Sequence, residues 1–112
     1  MNTRMQECCM SCSATRATCI QTMQMCLKKG GKLADAKLSL MLSECAQLCQ
    51  MAADMGAADS ERFNAAAQAC AQHCDNCAHA CDAMNESVLD ECSAVLRECA
   101  ELCRSMRSAV AV

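Results

Sequence analysis

The chain has 112 residues, 14 of them cysteine, against 15 leucine, isoleucine, valine and phenylalanine together; there is no proline, tryptophan or tyrosine, and the formal net charge is −3. With 54% hydrophobic residues and only three glycines, this is neither a disordered polyelectrolyte nor a strand-rich disulfide scaffold. No apolar run reaches the roughly 18 residues of a membrane span, balanced charge with one aromatic leaves no footprint for nucleic acid, and the length suits one domain, taken as residues 1–112.

Alanine, leucine, methionine, glutamate, glutamine, lysine and arginine lose little side-chain freedom in a helix, so helix is the expected state throughout. The punctuation divides the chain into four segments. The first, 3–29, ends at Lys28-Lys29-Gly30-Gly31-Lys32, where cations complement a helix end and glycines permit a left-handed stop. The second, 33–55, is expected to close on Gly56 as C-cap, ahead of an N-cap in Asp59-Ser60-Glu61. The third is 60–84. The fourth, 87–108, follows Asn85-Glu86-Ser87, with Asp90 placed as in a capping box that has Asp in place of Glu. Segments of about 22 to 27 residues joined by short loops pack as antiparallel neighbours. The expected fold is therefore all-α, an antiparallel up-down-up-down four-helix bundle with a cysteine-lined core.

That lining follows from spacing. The first segment carries Met5, Cys8, Cys12, Thr15, Cys19, Thr22 and Cys26 in steps of three and four. The second carries Leu38, Leu42, Cys45, Cys49 and Ala52. The third carries Phe63, Ala67, Cys70, Cys74, Cys77, Cys81 and Met84. The fourth carries Leu89, Cys92, Leu96, Cys99, Cys103, Met106 and Val110. Such steps keep side chains on one helix face, the seam of a bundle. Thirteen of the fourteen cysteines occupy seams and only Cys9 falls beside one, while Glu7, Arg16, Glu44, Asp75, Asp82, Arg97, Glu98 and Glu101 fall off them. The thiols are predicted to face the bundle axis from all four helices.

A core of this kind has several possible uses. Filler is one, since a free cysteine behaves as a small buried hydrophobe; leucine packs better, so thirteen cysteines in its place argue against it. Disulfides within a helix are strained: i,i+4 Cβ atoms lie about 5–6 Å apart, and a disulfide needs about 3.8 Å. Metal bridging needs no such closure. Two sulfurs on a linear ion at about 2.3 Å each sit near 4.6 Å apart, within reach of Cys8/Cys12, Cys45/Cys49, Cys70/Cys74, Cys77/Cys81 and Cys99/Cys103. A soft all-thiolate lining, with 10 Met as added thioethers, favours Cu(I) over its competitors Zn and Fe–S. The candidate ligands are Cys8, Cys12, Cys19, Cys26, Cys45, Cys49, Cys70, Cys74, Cys77, Cys81, Cys92, Cys99 and Cys103. No catalytic constellation is present, and the protein is read as a binding protein rather than an enzyme. The alternatives are a thiol redox sensor, with Cys9/Cys12 as its nominated pair, a zinc-binding protein and a metal-free helical interaction module.

The stretch Cys70-Ala-Gln-His-Cys74-Asp-Asn-Cys77-Ala-His-Ala-Cys81 resembles the C-x3-C-x2-C-x3-C signature of the cysteine-rich four-helix-bundle copper storage proteins. The first, second and fourth segments are similar to the same scheme. The resemblance implies many Cu(I) ions along the core, a homo-oligomer (commonly a tetramer), and copper-donor or chaperone proteins as partners. Thr15, Thr22, Leu38 and Leu96 stand where such proteins commonly have further cysteines, and are expected to interrupt the thiol column. Private pairs among thirteen thiols would hold about six ions, and shared thiolates up to about thirteen.

Met1 to Glu7 contain no apolar signal segment, so a cytoplasmic location is expected. One bundle end gathers Cys26, Cys81, Met84 and Cys92, the expected mouth, with Met23, His79 and Met84 as candidate relays. The other gathers Met5, Cys8, Met55, Phe63, Cys103 and Met106, the expected plug. His73, next to Cys74, is placed at a helix boundary.

Overall fold

The computed structural model describes residues 2–110, with side chains through Met106. Four α-helices run Thr3–Lys29 (α1), Ala36–Ala57 (α2), Phe63–Ala83 (α3) and Asp90–Val110 (α4). They form a rod of 48 × 20 × 19 Å. Met1 and the seam position predicted for the Val110 side chain lie outside the described residues.

The termini of α1 follow local chemistry. Asn2 caps it, its Oδ1 accepting from the Met5 N–H at 2.8 Å. Lys28 and Lys29 lie in its last turn, and Gly30 and Gly31 take φ of 73° and 61°, values a Cβ would penalise. A short 3-10 turn, Gly31–Ala34, then delays α2 to Ala36, where the Asp35 carboxylate accepts from the Leu38 N–H at 2.9 Å.

The next two junctions differ from the sequence reading. Gly56 is not a C-cap: α2 continues through Ala57, and the left-handed residue is Asp59, with φ of 54°. Gly56 is buried, and a Cβ there would collide with Cys9 Sγ and press on the Phe63 ring, 3.1 Å from its Cε1. Its missing side chain lets α1 and α3 close against α2. The Asp59-Ser60-Glu61 stretch forms a turn rather than the start of α3; Ser60 Oγ accepts from the Arg62 N–H at 3.1 Å. Ser87 likewise caps nothing but opens a 3-10 turn, Ser87–Leu89, which ends at Asp90. Asn85, at φ 59°, supplies the left-handed residue that ends α3, a role its short amide side chain tolerates.

Contacts across the axis fix the helix directions. Cys8 meets Cys103 and Cys12 meets Cys99, so residue numbers rise along α1 as they fall along α4. Cys45 meets Cys74 and Cys49 meets Cys70, giving α2 and α3 the same antiparallel relation. At the far end, Lys32 Nζ donates to the Met84 carbonyl at 2.7 Å and pairs with Glu86 at 3.3 Å, joining the two loops there. Small Ala46, Ala52, Ala53, Ala67, Ala71, Ala78 and Ala100 are buried around the seams. The off-seam charges face outward, and several link α3 to α4: Arg97 reaches Asp82 at 2.5 Å, and Arg104 pairs with Asp75.

Candidate metal centre

Each helix delivers its cysteines to the axis because the three- and four-residue steps match its pitch. Cys8, Cys12, Cys19, Cys26, Cys45, Cys49, Cys70, Cys74, Cys77 and Cys99 are buried with Cys81, Cys92 and Cys103, none more than 2% exposed. All fourteen cysteines are free thiols. Cys9 alone stands half-buried outside the column, with its sulfur against Gly56. Cys12 turns instead to Cys99 and Cys103, so the nominated redox pair Cys9/Cys12 is directed to different partners.

The sulfur contacts run mainly between helices. Across α1 and α4, Sγ separations are 3.5 Å for Cys8–Cys103, 3.6 Å for Cys12–Cys103 and 3.9 Å for Cys12–Cys99. Across α2 and α3 they are 3.4 Å for Cys45–Cys74, 3.5 Å for Cys49–Cys70 and 4.0 Å for Cys49–Cys74. Contacts within a helix, Cys70–Cys74 at 3.9 Å and Cys99–Cys103 at 4.0 Å, are longer than most of these. Spacing alone matches metal bridging only to pairs within one helix, because the register between helices cannot be read from it. These separations are shorter than the 4.6 Å or so spanned by a linear S–metal–S unit, and suit ions with three or four sulfur ligands.

Two groups of four sulfurs lie within 4.8 Å of one another: Cys12, Cys70, Cys99, Cys103 and Cys49, Cys70, Cys74, Cys99. The densest thiol packing is therefore toward the Phe63 end. The other half is sparser, with Leu38, Leu42, Leu89, Leu96 and Thr22 buried among Cys19, Cys77, Cys81 and Cys92. The column narrows there but does not break. Cys45 has Cys49 and Cys74 on one side and Cys19 and Cys77 on the other as sulfur neighbours, and Cys92 continues from Cys19 to Cys81. The substitutions at Thr15, Thr22, Leu38 and Leu96 thus thin the column without interrupting it. Thr15 leaves a mark of its own: its buried Oγ1 has no hydrogen-bond partner.

Sulfur–sulfur contacts and burial shift the thiols in both directions. Burial, then the Cys92 charge, raises Cys26. At Cys8 the Cys103 hydrogen bond pulls downward, but the Cys12 contact and burial prevail and push it up to about 12. Cys81 also rises to about 12: the Cys77 bond favours ionisation, while Cys92 and burial oppose it more strongly. Cys19, Cys74 and Cys77 are raised first by their bonds to Cys45, and Cys49 and Cys103 by theirs to Cys12. Cys45 is lowered chiefly by Cys19, and Cys99 chiefly by Cys103. Cys70 falls to about 2 through Cys103 first, and Cys92 to about 3 through Cys19 first. An S–H aimed at a sulfur stabilises charge there.

Each bundle end has some of the expected residues around a cavity. Met5, Phe63 and Met106 line a cavity of about 450 Å³ with Asn2, Asp59, Ser60, Glu61 and Asn64. Met84 lines one of about 440 Å³ with Gly31, Lys32, Ala34, Asp35 and Ala83 at the opposite end. Met23 and Met84 are half-buried and His79 is exposed. His73 Nε2 lies 3.3 Å from the Met41 carbonyl and 3.8 Å from Glu44, at the α2–α3 boundary. No described helix is long and apolar enough to cross a membrane.

A family model described as copper storage protein matches residues 1–108. Among solved structures, the chain is similar to the Nmul_A1745 protein from Nitrosospira multiformis, with a TM-score of 0.91 and 29% identity, over 97% of this chain and 99% of that one. No curated protein matches the chain.

Proposed function

The chain belongs to the copper storage protein family, and from that premise we propose that it is a Cu(I) storage and buffering protein, not an enzyme, holding several ions through inward-facing thiolates. The observation that carries this reading is the buried column of thirteen free thiols drawn from all four helices. Thiolate is the softest ligand a protein offers, and a three-sulfur site suits Cu(I). The proposed ligands are Cys8, Cys12, Cys19, Cys26, Cys45, Cys49, Cys70, Cys74, Cys77, Cys81, Cys92, Cys99 and Cys103.

Loading proceeds by exchange: each Cu(I) takes the place of protons, so the core loses thiol hydrogens while gaining cations and its net charge stays small. Because helices supply the scaffold, the sites exist before metal arrives and filling requires little backbone ordering. Ions are proposed to enter at the end bearing Cys26, Cys81, Cys92 and Met84, where the core is thinnest in sulfur. A cytoplasmic location, assembly into a homo-oligomer such as a tetramer, and delivery by copper-donor or chaperone proteins complete the proposal. Anaerobic titration of the reduced protein with Cu(I) against a competing chelator tests it. Several equivalents withheld from the chelator are expected; one equivalent or fewer, weakly held, would overturn the reading.

A further inference from the structure

We propose that six of the core thiols, Cys12, Cys49, Cys70, Cys74, Cys99 and Cys103, form a binuclear site for two tetrahedral divalent cations of the zinc class, with Cys70 and Cys99 as the shared, bridging ligands. The two groups of four mutually close sulfurs are not separate sites. They have Cys70 and Cys99 in common, and their union is six sulfurs drawn from all four helices.

The dimensions fit. A tetrahedral ion at about 2.3 Å from each sulfur requires S···S edges of about 3.8 Å. In the first group Cys12–Cys103 is 3.6 Å, Cys12–Cys99 3.9 Å and Cys99–Cys103 4.0 Å. In the second, Cys49–Cys70 is 3.5 Å, Cys70–Cys74 3.9 Å and Cys49–Cys74 4.0 Å. The remaining edges stay within 4.8 Å, so small side-chain shifts bring four sulfurs around each ion. All six residues are fully buried, which excludes water as a fourth ligand and leaves the closed four-sulfur environment that structural zinc adopts.

Sharing also lowers the charge left in the core. Two separate tetrathiolate centres would carry four excess negative charges, whereas two ions on six thiolates carry two. In a medium of low dielectric that difference favours the bridged form. The step is an exchange without electron transfer: two divalent cations bind six thiolate sulfurs, and the protons those sulfurs held pass to solvent. The inference rests on the thiol column and not on the Cu(I) reading. It gives the copper-free chain a second occupied state, in which its densest thiols are capped against oxidation.

The test is an anaerobic Co(II) titration of the reduced full-length protein, followed by the visible bands of tetrahedral cobalt thiolate. Two equivalents with tetrahedral bands are expected for the wild type and for Thr15→Val. Cys12→Ser and Cys74→Ser each remove a terminal ligand and leave one tetrathiolate ion. Cys70→Ser and Cys99→Ser remove a ligand from both and leave none. Helicity by circular dichroism and Cu(I) uptake are measured on the same samples. Saturation below two equivalents in a folded wild type, or equal losses in Cys70→Ser and Cys74→Ser, overturns the binuclear site. Retained multi-equivalent Cu(I) uptake in that event leaves the storage reading standing, whereas loss of Cu(I) uptake with intact cobalt binding overturns storage alone.

Discussion

The sulfurs of Cys8 and Cys103 touch at 3.5 Å although 95 positions separate them in the chain. Together with Cys45 and Cys74 at 3.4 Å, they are better placed to cross-link than any pair along one helix. A disulfide needs Cβ atoms about 3.8 Å apart, closer than the helix repeat provides. Mild oxidation of the metal-free protein should therefore link α1 to α4 and α2 to α3 first. Peptide mapping without reduction checks this; a product dominated by Cys70–Cys74 or Cys99–Cys103 links would contradict it. Cu(I) loaded beforehand should suppress the cross-links.

Gly56 should resist substitution. Alanine is normally favoured over glycine inside a helix by about 1 kcal/mol, but here its Cβ meets Cys9 Sγ and the Phe63 ring. Gly56→Ala is expected to lower stability by about 1–3 kcal/mol, as overpacking does. Combining it with Cys9→Ala removes the nearest obstacle and should recover much of the loss in denaturant unfolding. Cys9→Ala alone should leave the number of Cu(I) bound unchanged, since Cys9 lies outside the column.

Thr15 is buried with an unpartnered hydroxyl. Valine has nearly the same shape and no polar atom to desolvate. Thr15→Val should stabilise the apo protein by about 1 kcal/mol, read as a higher urea midpoint with an unchanged slope. A lower midpoint would mean that the hydroxyl has a partner in solution.

Alkaline pH should weaken the apo fold. The native state holds the Cys8 proton up to about 12, above the ordinary 9.0, and Cys81 behaves alike. In that window the unfolded chain has lost protons that the native chain keeps. Their contribution is complete below 9.0 and declines as pH rises toward 12. Denaturation of the reduced protein at stepped pH should show the midpoint falling across this range, and falling less in Cys8→Ser. Cu(I) affinity should move oppositely, rising with pH as proton competition weakens.

Much of this architecture was legible in the sequence. The steps of three and four that put Cys70, Cys74, Cys77 and Cys81 on one face need only helical pitch, and Gly30-Gly31 announces a stop through backbone freedom. The junctions around Gly56 and Ser87 misled, because a glycine needed for close packing and one needed for a turn read alike in isolation. The pairing of Cys8 with Cys103, or Cys45 with Cys74, depends on how far one helix slides along another. That register is set by contacts such as Gly56 with Cys9, which no local pattern encodes. The same ignorance made Thr15 and Leu96 look like breaks in the column, when Cys45 on α2 carries the connection past them.

Cys45 therefore divides the molecule in time as well as in space. Its sulfur has Cys19 and Cys77 on one side and Cys49 and Cys74 on the other, so an ion crossing between them has a stepping point at that atom. Ions beyond it should exchange slowly, and those between it and the proposed mouth quickly. A loaded chain would then release its copper in two phases, a prompt fraction and a retained one, with Cys45→Val slowing the second more than the first.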